Sequence, residues 1–165
     1  MQVRNIKISV KVELTPLDTV TKKLQLINLS YNTYPSYISF HDKYNYIFFQ
    51  ASKNQTNHVN ITRLKSEDDI STAISKLEQI IGKTIISHTI DNITATYSLN
   101  QCLTLEDIIH KFKNVKYNAE RFPGMFIKRS EGGSAIIFHS GKIVLLGCKT
   151  TKEIWNVINY VLQRV

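Results

Sequence analysis

Residues 121–149 read RFPGMFIKRSEGGSAIIFHSGKIVLLGCK. Two sets of turn residues, EGG (Glu131 to Gly133) and SG (Ser140, Gly141), separate runs that read as strands. Phe122 stands at one strand start, ahead of Pro123 and Gly124, and Phe138 stands at another strand's end, ahead of Ser140 and Gly141. Apolar residues fall at both parities along these strands. Successive side chains point to opposite faces, so both faces of this sheet are apolar. Helices can cover one face, and something else must cover the other.

Outward from this stretch the chain repeats itself. Ser66 to Asp69 reads SEDD and Thr150 to Glu153 reads TTKE, each a hydroxyl residue with an acid three positions on. That is a capping-box arrangement at a helix start. Ile70, Ala73, Ile74 and Leu77 follow the first with helical spacing; Ile154, Val157, Ile158 and Val161 follow the second, each 84 positions later. A second pair of caps is expected at Thr15 to Asp18 (TPLD) and Thr104 to Asp107 (TLED), 89 positions apart. Leu17, Val20 and Leu24 continue the former, and Leu105, Ile108, Ile109 and Phe112 the latter. Each half therefore reads strand, helix, several strands, helix. Opening strands are expected at 3–12 and 88–98. Middle strands are expected at 36–41, 45–51 and 57–63, and again at 124–129, 134–139 and 142–147. Segregated strands and helices make the fold α+β with antiparallel sheets. The halves divide as 1–86 and 87–165.

Two helices per half cover one face of each sheet. Alternation leaves Ile136, Phe138, Val144 and Leu146 on the other. An uncovered apolar face of that size marks a binding surface, or a core between two sheets.

At 165 residues the chain suits one domain or two small fused halves, and 42% hydrophobic residues supply a core. A net charge of +8 points to a polyanion, with a lysine-rich solvated surface as the plainer reading. No stretch reaches the roughly 18 apolar residues of a membrane span, and MQVRNIKISVKVEL at the start alternates like a strand, so no membrane partner is expected. Cys102 and Cys148 form no CxxC and suggest a reducing compartment. His41, His58, His88, His110 and His139 are scattered, and neither HExxH, GxSxG nor a Walker loop occurs. Glu67, Asp68 and Asp69 suit the first turn of a helix. No catalytic residue, metal or cofactor is expected.

RFPGMFIKR followed by IIFHSGKIVLLGCK resembles the second repeat of the TATA-box binding protein family, where a phenylalanine before PG is followed by IF, an SGK turn, VVLTGAK and a helix. YNAE (Tyr117 to Glu120) resembles the family's stirrup-loop approach, and DNI (Asp91 to Ile93) its QNI. The likeness is dense from about 89 to 165. RNI (Arg4 to Ile6), YNTYPSY (Tyr31 to Tyr37), IFFQASK (Ile47 to Lys53) and TRLKSED (Thr62 to Asp68) can be laid on the first repeat, with a longer turn near Asn54 to Asn57.

The resemblance implies a two-repeat saddle of ten antiparallel strands with helices on the convex back. It implies that DNA covers the second face through a widened minor groove, with apolar wedges kinking the duplex. The implied wedges are Phe122 with Phe138, and Tyr34 with Phe49, where Tyr34 replaces a phenylalanine. Without the resemblance a Phe beside Pro-Gly is ordinarily a core anchor. Asn5 and Asn92 match the central asparagines that meet minor-groove acceptors. Lys128, Arg129 and Lys142 lie where phosphate contacts are implied, Val144 is a retained floor valine, and Thr62 and Leu146 align with two groove-facing threonines. Glu120 matches a glutamate that meets a TFIIB-type factor. The floor departs from the family's valines at Lys7, Asn60 and Thr94, and the arginines after the first wedge are absent from YISFHD (Tyr37 to Asp42).

The implied function is transcription initiation: binding and bending AT-rich promoter DNA, and recruiting a TFIIB-type factor and RNA polymerase. The alternative is a protein-interaction module of the same fold that has lost specific DNA binding. A nuclear location is implied, or a cytoplasmic factory if the source is a virus with its own transcription apparatus.

Overall fold

The computed structural model describes residues 1–53 and 55–165. In chain order the elements are β1 (Gln2–Val12), α1 (Leu17–Leu26), β2 (Tyr31–Thr33), β3 (Tyr37–His41), β4 (Asn45–Phe49), β5 (Asn57–Leu64), α2 (Glu67–Ile81), β6 (Ile85–Ser98), α3 (Leu105–Ile108), β7 (Val115–Asn118), β8 (Phe122–Lys128), β9 (Ser134–Phe138), β10 (Lys142–Cys148) and α4 (Thr151–Leu162). They form two compact units. The first unit is Asn5–Asp91; the second is Asn92–Val165 together with Met1–Arg4. β1 and β6 each contribute residues to both. Asn54, in the longer turn expected near Asn54 to Asn57, lies outside the described residues.

In the first unit the strand order is β2-β3-β4-β5-β1, with antiparallel pairing throughout. One parity is buried: Ile8, Val10 and Val12, then Ile38 and Phe40, Tyr46 and Phe48, and Val59 and Ile61. The buried stripes of α1 (Val20, Leu24) and α2 (Ile70, Ala73, Leu77, Ile80, Ile81) complete that core. In the second unit the order is β6-β10-β9-β8-β7, again antiparallel. Ile93, Ala95, Ile143, Leu145, Ala135, Ile137, Met125 and Ile127 form its buried parity, with Ile154, Val157, Ile158 and Val161 of α4. Each buried Val, Leu, Ile, Phe or Met among them contributes about 1.5–3 kcal/mol. Both units therefore keep a second, helix-free face at the opposite parity.

Two of the four expected caps form. Ser66 Oγ accepts from the Asp69 N–H at 3.1 Å, and Thr150 Oγ1 from the Glu153 N–H at 3.1 Å. The acids reach back one residue beyond the cap: Asp69 Oδ2 accepts from the Lys65 N–H and Glu153 Oε2 from the Lys149 N–H. The other two do not form. Thr15 is 2% exposed, its hydroxyl donates to the Glu13 carbonyl, and Pro16 is the N-cap of α1. Thr104 makes no side-chain cap bond, and the helix expected through Phe112 is a four-residue α3 with a 3-10 turn, Ile109–Lys111. Thr15 stands one residue before the N-cap, buried, with its hydroxyl on the Glu13 carbonyl instead of the helix start. β2 and β7, three and four residues long, are too short to show a period and were not expected from alternation.

Candidate nucleic-acid interface

On the second unit's helix-free face, hydrogen-bond register sets a row across four strands. Thr96 of β6 pairs with Val144 of β10, Val144 with Ile136 of β9, and Ile136 with Phe126 of β8. Val144, Ile136 and Phe126 are half-buried, and Leu146 continues their parity along β10. At one end lie Phe122, 48% exposed, and Phe138. Their rings meet edge to face with centroids 5.9 Å apart. Gly124, paired with Phe138, makes this possible. A Cβ there would lie 2.6 Å from Ile136 Cγ2, 2.7 Å from Phe122 Cε1 and 3.0 Å from Phe138 Cε1. The Pro-Gly of the sequence motif thus removes a side chain beneath two rings. Edge-to-face aromatic contact is worth about 0.5–1.5 kcal/mol, enough to hold the pair ready without burying it.

Each unit carries one asparagine fixed in the same way. Asn92 Oδ1 accepts from the Gly147 N–H at 2.8 Å, and Asn5 Oδ1 accepts from the Arg63 N–H at 2.7 Å. Gly147 and Arg63 both have left-handed backbone, with φ of 71° and 69°. With each amide oxygen committed to a backbone donor, the NH2 end is what remains to meet an acceptor. Asn92 Nδ2 also lies 3.3 Å from Thr94 Oγ1.

Cations flank the second unit's face. Arg4 Nε donates to Thr96 Oγ1 at 3.0 Å, and Arg4, Thr96, Ser98 and Lys142 line an open depression of about 500 Å³. Lys128 is exposed at the end of β8. Arg129 lines a separate depression with Lys128, Lys113 and Arg164. Its guanidinium binds Glu131 Oε2 at 2.6 Å, lies 5.3 Å from the Tyr160 ring of α4 and is only 11% exposed. Glu120 is exposed in the turn between β7 and β8, where its N–H donates to Asn118 Oδ1.

The first unit's helix-free face is built differently. Its aromatic end is a run of three rings: Tyr34 stacks on Tyr37 at 4.4 Å, and Tyr37 tilts toward Phe49 at 5.8 Å. Tyr37 pairs with Phe49 as Gly124 pairs with Phe138, so a ring fills the place that glycine leaves open in the other unit. The cross-strand row is Ser9, Asn60, Ile47 and Ser39. Thr62 lies on the same face, paired with Asn45. Ser9 Oγ donates to Asp91 Oδ2 at 2.5 Å and lies 3.2 Å from Asn60 Oδ1. Lys7 Nζ is 3.6 Å from Asp91 Oδ2. Lys7 on this face is therefore one half of an ion pair.

Tyr37, Phe126, Arg4, Ser9 and Asp91 were missed as site residues. Counting register from Phe49 and from Ile136 would have found Tyr37 and Phe126. Asp91 and Arg4 were not recoverable by parity, because each is the last residue of its strand to belong to its unit, and its neighbour serves the other.

Residues 87–165 match the family model described as transcription factor TFIID, or TATA-binding protein. The chain is 31% identical over 114 residues to the TATA-box-binding protein of Pyrodictium occultum, a match covering 64% of this chain and 56% of that relative. It is 37% identical over 65 residues to TATA-box-binding protein-like 1 of Entamoeba histolytica, covering 39% of this chain and 30% of that one. The solved Methanococcus jannaschii TBP superposes with a TM-score of 0.81 at 23% identity, covering 99% of this chain and 96% of that chain, so the two share a fold. The matches to the curated relatives span about half of their length or less.

Proposed function

We propose that this chain is a member of the TATA-box-binding protein family and a transcription initiation factor that binds and bends AT-rich promoter DNA through the minor groove, a reading its relatives and fold support. The observation that supports this best is the Phe122–Phe138 pair over Gly124, at the end of an apolar sheet face that no helix covers. Inserted apolar side chains unstack a base step at a cost of a few kcal/mol, and the bent duplex offsets that by covering the rest of the face. The NH2 ends of Asn5 and Asn92 suit the acceptors that A·T pairs present in the minor groove. Arg4, Lys128 and Lys142 suit phosphates.

Duplex binding and bending, measured by fluorescence transfer between the ends of an AT-rich duplex over a range of salt, tests the reading. Salt-dependent binding with a sharp bend is expected, log Kd changing with log salt by about 0.9 per phosphate contact. Failure to bind any duplex would leave the reading of a protein-docking module instead.

For partners, the exposed Glu120 turn is proposed to meet a TFIIB-type factor, which would bring RNA polymerase. Glu120→Arg is expected to leave duplex binding unchanged and to abolish the ternary complex on a native gel. A normal ternary complex would remove this site.

A further inference from the structure

Two positions related by the repeat carry opposite charge. In the second unit Arg4 Nε donates to Thr96 Oγ1, and in the first unit Asp91 accepts from Ser9 Oγ. Asp91 lies 87 positions after Arg4, and Thr96 lies 87 after Ser9. The same geometric slot thus holds a donor-only guanidinium in one unit and an acceptor-only carboxylate in the other. The floor residues beside it follow suit. Val144 and Phe126 of the second unit correspond by register to Asn60 and Ser39 of the first.

In the minor groove A·T and T·A present only acceptors, and G·C adds a single donor, the guanine N2 amino group. A carboxylate set against acceptors alone is repelled. Set against the guanine amino group it accepts a hydrogen bond, and bonds to charged groups are the stronger kind. Asp91 is 32% exposed at its side chain; Ser9 donates to its Oδ2 and Thr89 Oγ1 to its Oδ1 at 3.4 Å, and each oxygen keeps a further lone pair. Lys7, 3.6 Å away, offsets the charge that phosphates would otherwise repel, and offers a donor to the acceptors of the same pair. Asn60 Oδ1 adds a second acceptor beside Ser9.

We propose that the first unit selects a G·C pair in its half of the DNA site, with Asp91 and Asn60 accepting the guanine N2 amino group, while the second unit takes A·T. A protein of two like repeats would then bind its site in one orientation. This rests on the minor-groove reading above.

Inosine separates the two ideas, because it is guanine without the N2 amino group. Single A·T pairs of a bound duplex are changed in turn to G·C and to I·C, and Kd is measured at fixed salt for the full chain. At one or more positions in one half of the site, G·C is expected to bind about tenfold tighter than I·C. Asp91→Ala should bring G·C and I·C to equal Kd at that position, and Asn60→Val should narrow the gap. Equal or tighter binding of I·C at every position, with the AT-rich duplex still bound and bent, would overturn the inference and leave the proposed function standing. A preference that survives in Asp91→Ala and Asn60→Val alike would overturn these residue assignments. Absence of all duplex binding by the wild type would overturn the proposed function and this inference with it.

Discussion

Thr96, Val144, Ile136 and Phe126 cross the helix-free face of the second unit, whereas Ser9, Asn60, Ile47 and Ser39 cross that of the first at the same register positions. Beneath them both cores are built on branched aliphatics, with Phe40, Tyr46 and Phe48 added on the strands of the first and Ala95, Ala135 and Met125 on those of the second. Only Ile47 keeps the first row apolar. The difference shows that fold and surface chemistry can separate within one chain. The buried parity decides whether a unit folds, and its volume is constrained. The other parity is free to change wherever what covers it changes.

The largest expected effect lies at the aromatic ends. Phe122→Ala is expected to weaken the bent complex by about 1–3 kcal/mol, the range for a stacked aromatic, with little loss of folding stability because the ring is 48% exposed. Gly124→Ala should act in the same direction by forcing the two rings apart. In the first unit Tyr34→Ala should cost less, since Tyr34 is already stacked on Tyr37 and must give up that contact to insert. Thermal melts and bending measured on the same variants check this. A folding loss of roughly 3–5 kcal/mol for Phe122→Ala, with bending intact, would mark Phe122 as core and break the contrast.

Next in size come Arg63 and Gly147, each at a bulge where the pairing register shifts, β1 with β5 and β6 with β10. Left-handed backbone costs a residue with a Cβ about 1–2 kcal/mol. Gly147→Ala, which meets no close neighbour, should destabilise by about that amount, through φ alone. Arg63→Gly removes the same strain and should be neutral or stabilising, by at most about 1 kcal/mol. Urea denaturation of both variants measures the difference. If Arg63→Gly destabilises strongly, the arginine side chain has a role that the shared bulge does not explain.

The smallest effects sit at the helix caps. Ser66→Ala and Thr150→Ala should each cost about 1 kcal/mol, and Thr104→Ala nothing through capping, since its side chain makes no cap bond. Acid tests the first of these caps. Asp69 accepts from the Tyr44 hydroxyl, Lys43 and the Lys65 N–H, and these bonds, Tyr44 first, hold its carboxyl down to about 2. A carboxylate depressed in the folded state adds stability that is fully present above its unfolded pKa of about 4 and is lost as pH falls toward 2. The stability gap between wild type and Asp69→Asn should therefore be constant near neutrality and close on acidification, as urea midpoints against pH would show. A gap unchanged down to about pH 2 would mean that the carboxylate charge contributes nothing.

Much of this molecule was legible in the chain. The matched stripes 84 positions apart give two like halves, and alternation in 134–147 gives the strands and their buried parity, because period and capping are local properties. The motif around Phe122 and Phe138 marked the aromatic pair. The sequence did not reveal which hydroxyl caps a helix. Thr15 and Thr104 look like Ser66 and Thr150, yet only the latter two face a helix N–H, because burial and neighbouring carbonyls decide where a hydroxyl turns. Nor did it reveal that Arg129 is spent on Glu131 and Tyr160, or that Lys7 is paired with Asp91. The Arg129–Tyr160 and Lys7–Asp91 contacts join residues from different elements, and strand register and helix packing alone bring such atoms within reach. Composition and period therefore determined two α+β repeats with an apolar face to spare in the second. Tertiary structure decided that the corresponding face of the first is lined by a serine, an asparagine and an ion pair, because the polar partners that meet there lie 51 to 84 positions apart along the chain.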